Sequence, residues 1–369
     1  MNSSTFDIAI IGGGIHGLST AYFARQRGYT VALFEKAYMG RHASGVNAGG
    51  VRTLGRPPAE IPLSLRSSEL WRSLEFLSEI EGGFRQFGQL KVAESEADLQ
   101  VLKHRVNTLG KLGFNHEVLI GREAVRTLVP TINPGITGAL WVATDGYATP
   151  YKIVNELGRQ IKSHGVQCFE RTTVHGLQQT GSSWKIDTSG TSINAKTLVI
   201  AAGAWSGRIA AMAGDTVSVK PGGLMLMVTQ RLPHFIDPVL GATSRGLSFK
   251  QFANGTVVIG GSLECRSDLD TEYAEMDFKR LANSANIVMD LFPSIGRVHI
   301  VRAWSGIDGY SADKTSIVGP SPNLPNVFYA CGFSASGFQL GPASGEYTAG
   351  LIDGEPPIHQ GLLPARFTP

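Results

Sequence analysis

Apolar positions along this chain fall into short, nearly unbroken runs separated by glycine-rich loops, with helical spacing between some of them. FDIAII, Phe6 to Ile11, is such a run and predicts a strand covered on both faces. The loop GGGIHG comes next, and Leu18 to Arg27 then predicts a helix, with Leu18, Ala21, Tyr22 and Arg25 stacked and Gly28 closing it. YTVALFEK is a second β-rich run, ending at Glu35, eighteen residues after Gly17. VQCFERTTVHGL (Val166 to Leu177) alternates like a strand pair, and TLVIAAGAWS (Thr197 to Ser206) is an apolar strand that ends in small residues beside Trp205. Near the carboxyl end, Asn326 to Gly354 predicts strand, glycine loop and helix, the helix starting near Pro342 and stopping at Gly354.

The order strand, glycines, helix, strand, acid gives the glycines a chemistry. Gly12, Gly14 and Gly17 fit G-x-G-x-x-G: the first for a tight turn, the second for backbone approach to a pyrophosphate, the third for close helix–strand contact. The helix start adds about half a positive charge toward phosphates, and Glu35 stands where an acid binds a ribose diol. Ile15, His16 and Lys36 belong to the same cradle, His16 through its backbone. FAD and NAD share this fingerprint. After Glu35 the chain enters a small-residue loop, Gly40 to Arg56, able to lie along a flat ring and a pyrophosphate; its candidate contacts are Arg41, Ser44, Asn47, Ala48 and Gly49. Val174 is a candidate contact to an adenine edge, and Ala202, Gly203 and Trp205 complete a second βαβ fragment.

At 369 residues the chain exceeds the usual single core, so two domains are expected. A formal charge of +3, without a basic run, gives nucleic acid or an anionic membrane no electrostatic support. MNSST lacks the basic region of a leader, so a cytoplasmic protein without a transmembrane segment is expected, peripheral to a membrane only through partners. Cys168, Cys265 and Cys331 suggest neither a disulfide framework nor a metal site.

IGGGIHG, Glu35, ASGVNAGG, DGYATP (Asp145 to Pro150), LVIAAGAWS, LSFKQFANGTVVIGG (Leu247 to Gly261), RAWSGIDGYSADKTSIVG (Arg302 to Gly319) and CGFSASGFQLGP together resemble the D-amino-acid-oxidase-like (DAO) family of FAD-dependent amine oxidoreductases. Within it, NAGGVR, SFKQ and WSGIDGY are most similar to the catalytic β subunits of heteromeric dehydrogenases of D-hydroxyproline, opines, or glycine in cyanide formation. The resemblance implies an α/β plus α+β fold: a discontinuous Rossmann-like FAD domain (residues 1–75, 151–215 and 310–369) and a mixed, largely antiparallel β-sheet substrate domain (76–150 and 216–309) roofing the flavin. It also implies noncovalent FAD, contacts from Gly332, Gly337, Phe338, Gln339 and Leu340, and hydride transfer to flavin N5 from a carbon beside the substrate nitrogen.

The family also suggests where substrate sits. Arg52 corresponds to a substrate-contacting arginine of sarcosine oxidases and suits a carboxylate, or else contacts phosphate or serves structure; Arg56 is the neighbouring alternative. Asp308 stands where glycine oxidases have arginine, and is expected to meet a substrate ammonium or guanidinium. Ser336 replaces a histidine and Gln339 a carboxylate-binding lysine. The lysine that promotes oxygen reduction in sarcosine oxidases falls at Val258, which favours a dehydrogenase, while Lys250, on an alternating strand, is expected to face solvent or a backbone carbonyl. The leading expectation is an amino-acid dehydrogenase subunit with partner subunits. A stand-alone oxidase making hydrogen peroxide and a non-catalytic flavin subunit remain open.

Overall fold

The computed structural model describes residues 5–261 and 264–367. Most of MNSST, the basis for expecting no leader, lies outside the described residues. Two sheets organise the chain. The first has Thr5–Ile11 at its centre, paired in parallel with Ser192–Ile200 on one side and Val31–Phe34 on the other. Val327–Cys331 and Gln167–Phe169 extend it in parallel, Ile317–Pro320 closes one edge antiparallel, and a hairpin of Val174–Thr180 and Ser183–Thr188 leans on Ser192–Ile200. Strands from three separated stretches thus build one nucleotide-type sheet, each central strand a solid apolar run because helices cover one face and the hairpin, with the short helix Ser206–Met212, the other.

The second sheet has nine strands and is antiparallel except where Val239–Ala242 runs parallel to Gln89–Ala93. Its long ribbon is Val219–Thr229 against Ile300–Ser311, paired from Val219↔Ser311 to Thr229↔Ile300. The expected boundary at 309/310 therefore falls inside a continuous strand. The core of this roof gathers Leu90, Val92, Met225, Met227, Phe249 and Phe292.

Two helices bear on the cofactor side. The first spans Ile15–Gln26, starting earlier than Leu18 because extended Gly14 takes the cap position; Gly28, at φ +89°, ends it as expected. The last spans Gly337–Ile352 with Pro342 inside it, where the sequence places proline at the start. This helix is buried almost throughout. The side chains of Ser67 and Trp71 donate to the carbonyl of Gln339 in its first turn, so packing overrides the local signal of proline.

Candidate functional site

One cavity of about 980 Å³ runs from the end of the first sheet to the underside of the roof. At one end lies the glycine loop. Gly12 has φ +116°, and a Cβ there would lie 2.3 Å from the carbonyl oxygen of Ala201. Gly17 does not line the cavity; a Cβ on it would sit 2.0 Å from the Gly12 carbonyl oxygen, so it serves the close helix–strand contact assigned to it. Gly14, Ile15 and His16 do line it, as do Glu35 and Lys36. Glu35 is held by backbone donors, Gly13 N at 2.8 Å and Ala37 N at 2.8 Å, while burial pushes its carboxyl above the usual range.

Beyond the backbone role expected of it, the His16 side chain stacks on Phe333 at 3.4 Å and bonds Ser344 at 2.6 Å through Nδ1. Burial lowers its pKa to about 3, so the ring is neutral and ties the phosphate loop to the last helix.

The loop from Gly40 follows the cavity wall with Arg41, Ser44, Asn47 and Ala48. Ser44 Oγ accepts the Ile15 N–H at 2.9 Å, and Asn47 donates to Ala43 O and Ser44 O while accepting from Gly49 N. Gly49 itself, at φ +76°, turns away from the cavity and accepts from Ala148 N. From the roof, Trp304 Nε1 donates to Val46 O at 2.8 Å.

Lys250 also reaches this loop, and of the two expectations for it, solvent or a backbone carbonyl, the carbonyl is the one found. Ser248–Gln251 is an interior roof strand, covered on both faces; Lys250 is 0% exposed and its ammonium donates to Ala48 O. Burial and Arg52 push its pKa from 10.5 down to about 7. Between those values the unfolded chain holds a proton that the folded chain sheds, so the cost of burying the ammonium is complete below about 7 and fades as pH rises toward 10.5. Stability relative to Lys250→Met is accordingly expected to rise from neutrality to about pH 9, read from urea midpoints; parallel pH profiles would assign the slope elsewhere. Lys250 pairs directly opposite Val258, so the two share a face, and Val258 alone does not decide how oxygen is handled.

Arg52 lines the cavity, its Nη1 donating to Leu54 O at 2.6 Å; burial lowers its pKa. The segment carrying it is clasped by DGYATP: Asp145 accepts from Thr53 N, Thr53 Oγ1 and Leu54 N at 2.7–3.0 Å, and Gly50–Val51 pairs with Gly146–Tyr147. Burial raises the Asp145 pKa to about 6. Arg56 is buried and donates to Arg52 O, Ser336 O and Gln339 Oε1. Gln339 is thus occupied by Arg56 and Ser64 behind the helix and does not line the cavity; neither does Leu340, which is in the core. Both fall on helix faces turned inward, away from the loop.

Asp308 and Ser336 do line the cavity. Asp308 accepts from Gly309 N at 2.8 Å and Ala335 N at 2.7 Å, tethering a loop in which Ser334 and Ala335 have φ of +51° and +64°. Burial raises its pKa. Gly332, Gly337 and Phe338 join the wall, so the start of the last helix faces the cavity. Arg302 is not in an ion pair among the described residues; its guanidinium lies 5.9 Å from the Trp304 ring.

At the far end Val174, Ala202, Gly203 and Trp205 close the wall, covered by a roof segment that sequence reasoning missed. Glu272 pairs with Lys36 and with His42 at 3.2 Å, Asp270 pairs with Arg208, and Trp205 Nε1 donates to Leu269 O at 3.3 Å. Lys36 lies 3.5 Å from the centre of the Trp205 ring. Also missed are Gln89 and Lys91, which enter the cavity from the roof. Among the described residues no cluster of His, Cys, Asp or Glu is arranged for a metal, and no helix is long and apolar enough to cross a membrane. The three cysteines are free.

A parallel sheet with a glycine cradle, a carboxylate at the end of its second strand and a roofed cleft between two sheets defines a dinucleotide-binding protein. The family described as FAD dependent oxidoreductase (DAO) matches residues 7–351, and the chain belongs to it. The cofactor is therefore FAD, and the residues present fit it: Glu35 would suit the ribose, the first helix start the diphosphate, and the last helix start the ring. The sarcosine oxidase subunit beta of Rhizobium meliloti (strain 1021) is 29% identical over 356 residues, covering 94% of this chain and 84% of that protein. The glycine oxidase of Geobacillus kaustophilus (strain HTA426) is 28% identical, covering 94% and 93%. The crystal structure of L-proline dehydrogenase from P. horikoshii aligns with a TM-score of 0.91 at 25% identity, covering 99% and 98%.

Proposed function

We propose that this protein is an FAD-dependent dehydrogenase subunit that oxidises the carbon beside the nitrogen of a small amino acid or N-substituted amino acid, of the D-hydroxyproline, D-proline, opine or glycine type, and passes the electrons to a partner subunit. The observation that carries this reading is Arg52, a guanidinium on the cavity wall whose hydrogen bond is to a backbone carbonyl and not to a carboxylate. Its fork suits the substrate carboxylate. FAD, when bound and noncovalent, supplies the two-electron acceptor. The chain's own groups fix orientation: Arg52 holds the carboxylate, and Asp308, beyond its two backbone tethers, has lone pairs left for the substrate ammonium. The relatives named for sarcosine and glycine support an amine C–H donor, and one of them is a subunit.

Anaerobic addition of candidate amino acids to the purified holoprotein tests the reading; bleaching of the flavin is the expected result, and a flavin that no amino acid bleaches would leave only a binding subunit. Asp308→Asn is expected to weaken apparent amine affinity about tenfold, as for loss of one charge-assisted bond; unchanged affinity would confine Asp308 to tethering the loop. A second reading, a stand-alone oxidase, is favoured by Lys250 on the same face as Val258. Rapid turnover with oxygen alone, producing peroxide, would select it.

A further inference from the structure

The strand Gln89–Ala93 shows what else the cavity is built to hold. Its side chains alternate: Leu90 and Val92 enter the roof core, which leaves Gln89 and Lys91 on the opposite face, and both line the cavity. Opposite Lys91 in the parallel pair stands Gly241, which has no side chain to cover it.

Neither polar group is matched by protein. Gln89 is 7% exposed and its Oε1 has no hydrogen-bond partner. Half a turn of the amide would present its NH₂ there instead, a donor to an anion. Lys91 makes no ion pair or hydrogen bond among the described residues. The nearby carboxylate of Glu117 is already taken, by Arg105 at 2.6 Å and by Gly55 N at 2.7 Å. Burial first, then Arg52 and Arg105, push the Lys91 pKa down, with Glu117 opposing them. The acids on the cavity wall are engaged elsewhere: Glu35 by the glycine loop, Asp270 and Glu272 in the covering segment, and Asp308 by two backbone donors. This end of the cavity therefore offers two cations, Arg52 and Lys91, with no carboxylate in hydrogen-bond contact among the described residues, and an unmatched amide.

We infer that Gln89 and Lys91 form a second anion subsite, and that the substrate is an amino acid carrying two carboxylates, one for Arg52 and one for the Gln89–Lys91 face. This rests on the amine-oxidation reading above and narrows it: a compound with one carboxylate leaves Lys91 and Gln89 unpaired, and one with two satisfies both ends at once.

Two thioether acids provide a test that needs no turnover, because sulfur replaces the amine. Thiodiacetate carries two carboxylates and methylthioacetate one, and binding of either to the holoprotein is read from perturbation of the flavin absorption. Thiodiacetate is expected to bind about tenfold tighter or more, the gain from one charge-assisted contact. Lys91→Met should abolish that preference while leaving methylthioacetate unchanged; Lys91→Arg should keep it, and Gln89→Leu should reduce it in part. Equal affinity of the two acids in the unaltered protein would overturn the subsite, as would a Lys91→Met variant that weakens both alike. The flavin-bleaching pair N-(carboxymethyl)glycine and N-methylglycine separates the two levels. Bleaching by the second alone removes the subsite and leaves amine oxidation standing; bleaching by neither counts against the two-carboxylate substrate, and only together with no bleaching by any other amino acid does it remove the amine reading.

Discussion

Gly12→Ala is expected to purify without flavin and with a markedly lower melting temperature. Gly12 ends the central strand, donates to Phe34 O at 2.8 Å, and holds φ +116°. An added Cβ would be 2.3 Å from Ala201 O and 2.7 Å from Ala201 C, both backbone atoms of the neighbouring parallel connection. No side chain can rotate away, so strand and loop must separate just where the diphosphate lies. Strained backbone and overpacking together cost roughly 2–5 kcal/mol, a large part of the usual margin of stability. Gly28→Ala is the control: φ is +89° but nothing lies within 4 Å of the added carbon, so only the conformational cost of about 1–2 kcal/mol applies and flavin is retained. Flavin absorbance per mole of protein and thermal melts read both variants. A yellow, stable Gly12→Ala protein would contradict the packing described.

The second large effect is on turnover. Arg52→Met is expected to lower kcat/KM by about 10²–10³ while flavin content stays near stoichiometric, since removing one member of a buried charge pair costs roughly 2–5 kcal/mol. The two effects separate because of the partners of Arg52: its side chain bonds one carbonyl, Leu54 O, and the loop is otherwise held by Asp145. Arg52→Lys should recover activity only in part, because an ammonium does not reproduce the two-pronged fork. Loss of flavin from Arg52→Met, with unchanged turnover in the fraction that stays loaded, would instead assign Arg52 to the phosphates or to structure.

What the sequence makes legible divides by the kind of constraint. Gly12 and Gly17 are legible because a forbidden Cβ leaves one residue type, and Glu35 because its distance from the cradle is set by one helix and one strand. For Lys250 the backbone-carbonyl partner is among the expectations but its burial is not, since alternation gives the parity of a side chain and says nothing of whether a neighbouring layer covers the second face. Pro342 misleads because a local helix-start signal is outweighed by the contacts that Ser67 and Trp71 make with Gln339 across separations of 272 and 268 residues. Asp145 belongs to a recognisable motif, but its task of holding Thr53 and Leu54 spans separations of 92 and 91 residues that no periodicity reports. Gln89 and Lys91 carry no motif at all; their meaning comes from an unpaired amide and ammonium meeting the same cavity as Arg52.

The covering segment at the nucleotide end has a consequence for how the cofactor is kept. Lys36, His42 and Arg208 belong to the dinucleotide side, while Glu272 and Asp270 come from a hairpin of the roof. The bolt across the door is therefore ionic through Lys36 and Arg208, with His42 a neutral hydrogen-bond partner, and partly exposed, whereas the door itself is apolar packing. Salt, which shortens the reach of surface charges to about 8 Å at physiological strength and about 3 Å at 1 M, slackens the bolt and leaves the hinges untouched. Loss of FAD is therefore expected to rise with ionic strength while both sheets stay folded, read from flavin absorbance and thermal melts at low and high salt.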